Sequence, residues 1–327
     1  MKLKYYEVDE KELLQEAKKG KRIAIKLPNG LSCYACKILS FLKNNGIDAI
    51  FLAESCYGAC DFIFYDDIDR IICIGEAEMP YLCYKPPVSF IEAKYDFDVK
   101  FIEEALPFIE GRKVGVASIT PFIHKIEECK KFIEEKGYKA FIGDKSRRTA
   151  YNGQILGCDI SSATSIANNV DSFLFIGDGF FHPLALYIAV RKPVIVANPI
   201  EKKIYSKEIE EMAEKMIKKR YAHIAKATEC EKFGIIVTKK IGQRRLQLAN
   251  RLKKMLERHQ KEAFLIFMND INEAINYFDF DCYVSTACPR VAIDDADRYE
   301  KLILTPIEIE ILLGERKWEN YGFDQIL

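Results

Sequence analysis

Apolar residues fall along this chain in short dense runs separated by amphipathic stretches, and that alternation predicts the fold. Arg22-Ile-Ala-Ile-Lys-Leu-Pro28 is strand-sized and β-rich, Leu31 to about Lys43 follows helical spacing, and Asn44-Asn-Gly46 reads as a turn. Ala49-Ile-Phe-Leu-Ala53 and Arg70-Ile-Ile-Cys-Ile-Gly75 are two further strands. The cycle restarts at Lys113-Val-Gly-Val-Ala-Ser118, with a helix near His124 to Lys136 and strands at 139–142, 172–177 and 193–197. It restarts again at Phe233-Gly-Ile-Ile-Val237, with a helix from about Arg244 to Arg258, a strand at 263–267, a helix near Ile271 to Tyr277 and a strand at 282–286. Strand and helix in alternation, with apolar strands, predict small parallel sheets covered by helices. The fold class expected is α/β, as three repeated Rossmann-like domains at 1–105, 106–205 and 206–327 with pseudo-threefold symmetry. The periods are too long and too unequal for a solenoid. Segment 201–231 reads as a connecting helix, and its Lys218-Lys-Arg220 run as a solvated face.

Charge narrows the partners. Lysine plus arginine equal aspartate plus glutamate at 49 each, so nothing general attracts nucleic acid or an anionic membrane, and no direct nucleic-acid or membrane binding is expected. The first ten residues lack the apolar core of a signal peptide and no stretch approaches 18 apolar residues, so the expected location is cytoplasmic. In that compartment eleven cysteines point to metal binding or reactive thiols rather than disulfides. Cys73, Cys83, Cys129, Cys230 and Cys282 sit in strand-like or helix-like apolar patterns and read as packing.

Ligands of open α/β sheets bind beyond the carboxyl ends of the strands, and each copy offers a loop cysteine there: Cys60, Cys158 and Cys288. Cys60 and Cys158 both precede an Asp and the third strand of their copy, whereas Cys288 follows the corresponding strand. Three thiolates suit the soft irons of a cubane cluster, and the missing fourth leaves one iron open to substrate. A competing local reading takes Cys33-Tyr-Ala-Cys36 with Cys56-Tyr-Gly-Ala-Cys60 as a zinc site, against which the first pair lies inside a helical pattern. An ordinary radical S-adenosylmethionine motif would need a third cysteine where Ile63 stands.

At Tyr57-Gly-Ala-Cys-Asp61, Gly157-Cys158, Gly177-Asp-Gly-Phe-Phe-His-Pro183 and Ser285-Thr-Ala-Cys-Pro-Arg-Val-Ala-Ile-Asp-Asp295 the chain resembles the archaeal diphthamide-synthesis enzymes, the 2-(3-amino-3-carboxypropyl)histidine synthase family, in order and over nearly its whole length. The resemblance implies a transferase and homodimer with three homologous domains, whose 4Fe-4S cluster is held by Cys60, Cys158 and Cys288. It further implies an electron donor, noncanonical radical cleavage of S-adenosylmethionine, and attachment of the aminocarboxypropyl group to a histidine of translation elongation factor 2. No catalytic side chain beyond the cluster is expected.

Within that reading Gly177 and Gly179 permit close backbone approach to S-adenosylmethionine, and His182 can bond its ribose or carboxylate. Arg290 can pair with the carboxylate, and Gln243, in Gly242-Gln-Arg-Arg245 at a helix start, lies in a backbone cradle for it. The plain alternatives are a tight turn capped by Asp178, an Arg290 ion pair with Asp294 or Asp295, and a solvated helix start. Arg147 and Arg148 read as polar-loop residues, and His124, His223 and His259 as ordinary helix residues. Cys33, Cys36 and Cys56 depart from the family pattern. Quinolinate synthase shares the expected architecture and cluster, with Lewis-acid chemistry instead of a radical. A noncatalytic, electron-supplying subunit is a further alternative, which the presence of all three ligand cysteines on one chain opposes.

Overall fold

The strand Ile23–Lys26 is hydrogen-bonded on both sides, Ile23 pairing with Ala49 and with Arg70, which is why its run of residues is buried throughout. The computed structural model describes residues 1–54, 56 and 58–326. Ser55, Tyr57 and Leu327 lie outside the described residues, so the first position of the Tyr57-Gly-Ala-Cys-Asp61 motif is among them. The chain forms two compact units. Met1–Leu156, Ser161–Gly179 and Lys192–Ser206 make the first; Gly157–Ile160, Phe180–Arg191 and Lys207–Leu327 make the second.

The first unit contains two parallel sheets and a small antiparallel one. Ala49–Leu52, Ile23–Lys26, Arg70–Ile74 and Val88–Ile91 lie side by side in that order, all parallel. The other sheet runs Val194–Asn198, Ser172–Ile176, Lys113–Ser118, Lys139–Ile142, with Lys203–Tyr205 added antiparallel at the edge. The second unit holds Glu262–Phe267, Lys232–Val237, Cys282–Ser285 and Leu302–Leu304, again all parallel. Numbered within its own segment, each of these three larger sheets has its first four strands in the order 2-1-3-4, the five-stranded one adding its antiparallel strand as the fifth. The α/β class expected from alternation is therefore the class observed.

One polar device occurs in all three of the larger, mainly parallel sheets. Asp69, Asp171 and Asp281 each stand immediately before the third strand and accept backbone N–H bonds at the start of the first. The donors are Arg22 at 2.9 Å, Arg112 and Lys113 at 2.9 Å, and Glu231 and Lys232 at 2.9 and 2.8 Å. These donors hold the three carboxyls below the usual aspartate range. The carboxylates occupy the amino ends of the strands, away from the cysteine loops, and join strands that cross over before pairing.

Several local expectations change. The pattern from Leu31 becomes a 3₁₀ turn, Asn29–Tyr34, before the α-helix Ala35–Asn44, and the stretch after Ile271 is 3₁₀ at Glu273–Tyr277. Cys230 and Cys282, expected as reduced packing thiols, form a disulfide. The register explains it: Cys282 pairs with Phe233, three residues after Cys230, and the two Cα atoms lie 6.2 Å apart, within disulfide reach. Cys83 is exposed rather than packed. Arg148 is 2% exposed, its Nη1 donating to the Tyr81 hydroxyl at 2.5 Å.

Arg220 overturns the solvated-face expectation. In the helix Lys207–Ala227 the side chains of Lys218 and Lys219 are 77% and 43% exposed, but that of Arg220 is 1% exposed. Its guanidinium donates to both Glu308 carboxylate oxygens at 2.7 and 2.6 Å, and to the carbonyls of Ala292 and Ile303 at 2.6 and 2.7 Å. A charge run gives no sign of this, because a single long side chain can turn inward while its neighbours on the helix stay in water.

Arg220 also sets the state of His223. Guanidinium has no acceptor, so the 2.9 Å contact from Nη1 makes His223 Nδ1 the acceptor and leaves the imidazole neutral. Burial, then the Arg220 charge, push its pKa down to about 4. An unfolded imidazole titrates near 6.5. Stability from this group is therefore complete above pH 6.5 and is lost as pH falls toward 4. Relative to pH 7.5, His223→Gln is expected to remove about 1–2.5 kcal/mol of the stability lost by pH 4.5, read from urea midpoints. Equal acid slopes for the two proteins would acquit His223.

Candidate functional site

The Cys60 loop rests on buried charge. Cys60 follows the strand Ala49–Leu52 and is 8% exposed, packed with Ala59 and Met79 and against Leu82, Phe90 and Leu156. Lys26, the last residue of the central strand, is 1% exposed, with its ammonium 5.1 Å from the centre of the Phe62 ring. Asp61 is 2% exposed, and the Glu76 carboxyl accepts from the Ala59 N–H. Burial lifts the Glu76 pKa to about 7; Lys26 opposes the rise and Asp61 adds to it. The sequence signal for this cluster is a lysine inside an otherwise apolar strand, and pattern reading passed over it.

The neighbouring thiols are quieter. Burial first, then the Glu76 charge, push the Cys56 thiol up to about 12, and burial raises Cys73 well above the usual thiol range. Cys33 in the 3₁₀ turn and Cys36 in the helix Ala35–Asn44 are exposed. Among the described residues no three or more His, Cys, Asp or Glu side chains are gathered as they would be around a single metal ion.

Cys158 and Cys288 both belong to the second unit, whereas Cys60 belongs to the first. Cys158 follows Gly157, where a side chain is forbidden: an added Cβ would stand 1.8 Å from Cε1 of Phe181. The Phe181 ring lies 5.0 Å from the Arg290 guanidinium and meets Phe323 edge-on at 5.4 Å. Cys288 follows the strand Cys282–Ser285 and directly precedes the short helix Pro289–Ile293, whose first residue is a proline suited to that position. Cys60, Cys158 and Cys288 are 8, 9 and 7% exposed, unlike the sealed Cys73 and Cys129 at 0%. Buried loop thiols that are not sealed, at the carboxyl ends of parallel strands, are a donor set that fits the soft irons of an iron-sulfur cluster.

The remaining candidates divide. His182 is pushed down to about 4 by burial and then by Arg290, so at neutral pH it can donate one hydrogen bond and accept another without carrying charge. Arg290 donates from Nε to Asp294 at 3.1 Å, the ion pair its plain alternative foresaw, in a half-exposed geometry of little energetic weight. Gly179 has φ +70° with nothing within 4 Å of an added Cβ, while Gly177 has Phe175 at 2.9 Å and Ile119 at 3.1 Å, so a side chain there would collide. Burial raises the Asp178 pKa. Gln243 is 3% exposed and lies in a turn ahead of the helix Leu246–Arg258, its N–H bonded to the Lys240 carbonyl at 3.0 Å. The helix start is not solvated: Arg245 is paired with Asp324 at 2.6 Å, their side chains 13 and 5% exposed. A cation so engaged is not free for a substrate carboxylate.

Residues 27–322 match the model of the diphthamide synthesis protein family. The chain is 39% identical to a 2-(3-amino-3-carboxypropyl)histidine synthase from Pyrococcus horikoshii, covering 98% of this chain and 94% of that one. Identity to the enzyme of the same description from Methanocaldococcus jannaschii is 29%, over 94% of this chain and 88% of the relative. The crystal structure of Dph2 from Pyrococcus horikoshii with a 4Fe-4S cluster superposes with a TM-score of 0.88 at 39% identity, covering 98% of this chain and 94% of that one. The match begins directly after the first parallel strand and runs to residue 322, through all the later strands of both units, and the chain belongs to the diphthamide synthesis protein family.

Proposed function

We propose that this chain transfers the 3-amino-3-carboxypropyl group of S-adenosylmethionine to a histidine of translation elongation factor 2, with Cys60, Cys158 and Cys288 holding one 4Fe-4S cluster. The observation that carries the reading is the set of three buried, unsealed loop cysteines, in a chain closely similar to a structure that contains such a cluster. One cysteine from each of three repeated domains is the arrangement proposed. The shared strand order and the three equivalent aspartates support that repetition. A homodimer in the cytoplasm, served by an electron donor, completes the reading.

When bound and reduced, the cluster supplies one electron for breaking the bond between sulfur and the γ-carbon of the methionine moiety. Cleavage there would give methylthioadenosine and an aminocarboxypropyl radical, which would add to an imidazole carbon; return of one electron to the oxidised cluster and loss of one proton to water would restore the aromatic ring. The chain's own residues position and exclude water. Three thiolates leave one iron without a protein ligand, where the methionine end of the substrate can approach. Neutral His182 can bond the ribose or carboxylate without repelling a sulfonium, and Arg290 can exchange Asp294 for the substrate carboxylate. Gly177 and Gly179 allow the backbone close to the nucleoside, and Gln243 lines the carboxylate side.

Anaerobically reconstituted protein given dithionite and S-adenosylmethionine is expected to release methylthioadenosine, not 5′-deoxyadenosine, and to modify one histidine of added elongation factor 2. Chromatography of the nucleoside product checks the first outcome and peptide mass spectrometry the second. Release of 5′-deoxyadenosine, or of no nucleoside from protein with a full reduced cluster, would remove this reading. A quinolinate synthase or an electron-supplying subunit would give no methylthioadenosine.

A further inference from the structure

We infer that Arg245 is a positioning residue that locks the Cys158 and Cys288 loops together through a strap formed by residues 323–326. The inference rests on the proposed role of those cysteines as cluster ligands and goes beyond it. Arg245 precedes the helix Leu246–Arg258, and all five of its guanidinium hydrogens are engaged. Nε donates to the Thr286 carbonyl at 2.8 Å and Nη2 to that of Ala287 at 3.2 Å, the two peptides immediately before Cys288. The outer edge forms a fork on Asp324 at 3.0 and 2.6 Å, with a longer contact to the Gln325 carbonyl at 3.4 Å.

The strap then reaches the backbone of the other cysteine at two points. The Ile326 N–H donates to the carbonyl of Cys158 itself at 2.7 Å, and Oε1 of Gln325 accepts from the Ile160 N–H at 3.0 Å. Phe323 at the start of the strap packs on Phe181, the ring that fills the space beside Gly157. One guanidinium thus ties three stretches far apart in sequence: the approach to Cys288, the strap, and through it the backbone around Cys158. None of these bonds involves a thiol, so the device can hold two ligand loops at a set spacing before any iron arrives. Lysine cannot substitute, since three donors on one atom cannot span a carboxylate and two carbonyls on different sides. Preset ligand spacing lowers the ordering cost of cluster capture.

The test uses the full chain under anaerobic conditions, as wild type, Arg245→Lys, Arg245→Gln, Asp324→Asn and Cys158→Ala. In metal-free protein, iodoacetamide alkylation of each cysteine is timed by peptide mass spectrometry. After reconstitution, iron, sulfide and the electron paramagnetic resonance of the reduced cluster are measured. Both Arg245 variants are expected to alkylate at Cys158 and Cys288 roughly fivefold faster or more, with Cys60 and Cys129 unchanged, the pattern of local opening. They should also bind less iron or give a shifted resonance. Unchanged rates at Cys158 and Cys288, with a normal cluster, overturn the inference. If an Arg245 variant accelerates every cysteine alike, Asp324→Asn decides: selective acceleration supports the strap, and uniform or absent acceleration rejects it. A normal cluster in Arg245→Gln beside none in Cys158→Ala rejects the strap alone. A normal cluster in Cys158→Ala rejects the cluster reading and this inference with it.

Discussion

Replacing Cys158 by Ala is expected to abolish both the cluster's visible absorption and the release of methylthioadenosine. With only three proposed thiolate ligands, removal of one strands an iron without a protein partner, and the remaining two cannot retain a cubane. The substitution itself is mild for the fold, deleting one sulfur from a side chain that is 9% exposed, so loss of chemistry with an unchanged unfolding transition is the specific outcome. Cys83→Ala is the matched control: Cys83 is an exposed free thiol and its removal should leave turnover intact. Full turnover by Cys158→Ala would end the three-cysteine reading at its root.

Arg220→Ala is expected to cost about 3–5 kcal/mol of stability, the range for removing one partner of a buried ion pair. The loss leaves the Glu308 carboxyl at 0% exposure without its cation and strips donors from the carbonyls of Ala292 and Ile303. Glu308 is also half of a capping box with Thr305 that starts the helix Pro306–Leu312, so the damage spreads to a second element. Because Ala292 lies in the helix that begins directly after Cys288, cluster retention should weaken in the same variant. Urea titration reads the stability. Simultaneous replacement by Arg220→Met and Glu308→Leu should recover much of it, since the pair as a whole is worth less than the cost of halving it. A single variant within about 1 kcal/mol of wild type would show that water or a neighbour solvates Glu308 instead.

Local pattern carried the strands a long way. Ser172–Ile176 is buried throughout, and Lys232–Val237 is buried from Phe233 on, because both neighbours in the sheet are parallel strands, and such strands read as continuous apolar runs. The shorter Val88–Ile91 and Leu302–Leu304 escaped, being edge strands too brief for a period to register. The helix Phe181–Val190 escaped because it is apolar nearly all round and shows no polar face to mark its turn.

By itself the sequence determined the α/β class, the central strands, the loops that carry Cys60, Cys158 and Cys288, and the family resemblance, since each is written in contiguous residues. Tertiary structure decided which lysine or arginine of a polar stretch turns inward: Lys26, Arg148, Arg220 and Arg245 are drawn in by carboxylates, carbonyls or rings as distant in the chain as Asp324 is from Arg245. It also decided that Cys230 meets Cys282, through a strand register no local pattern encodes. Periodicity reports how a segment meets an averaged inside and outside. Pairing between named atoms depends on which segments the crossovers bring together, and a partner at long range leaves no trace in the residues beside it.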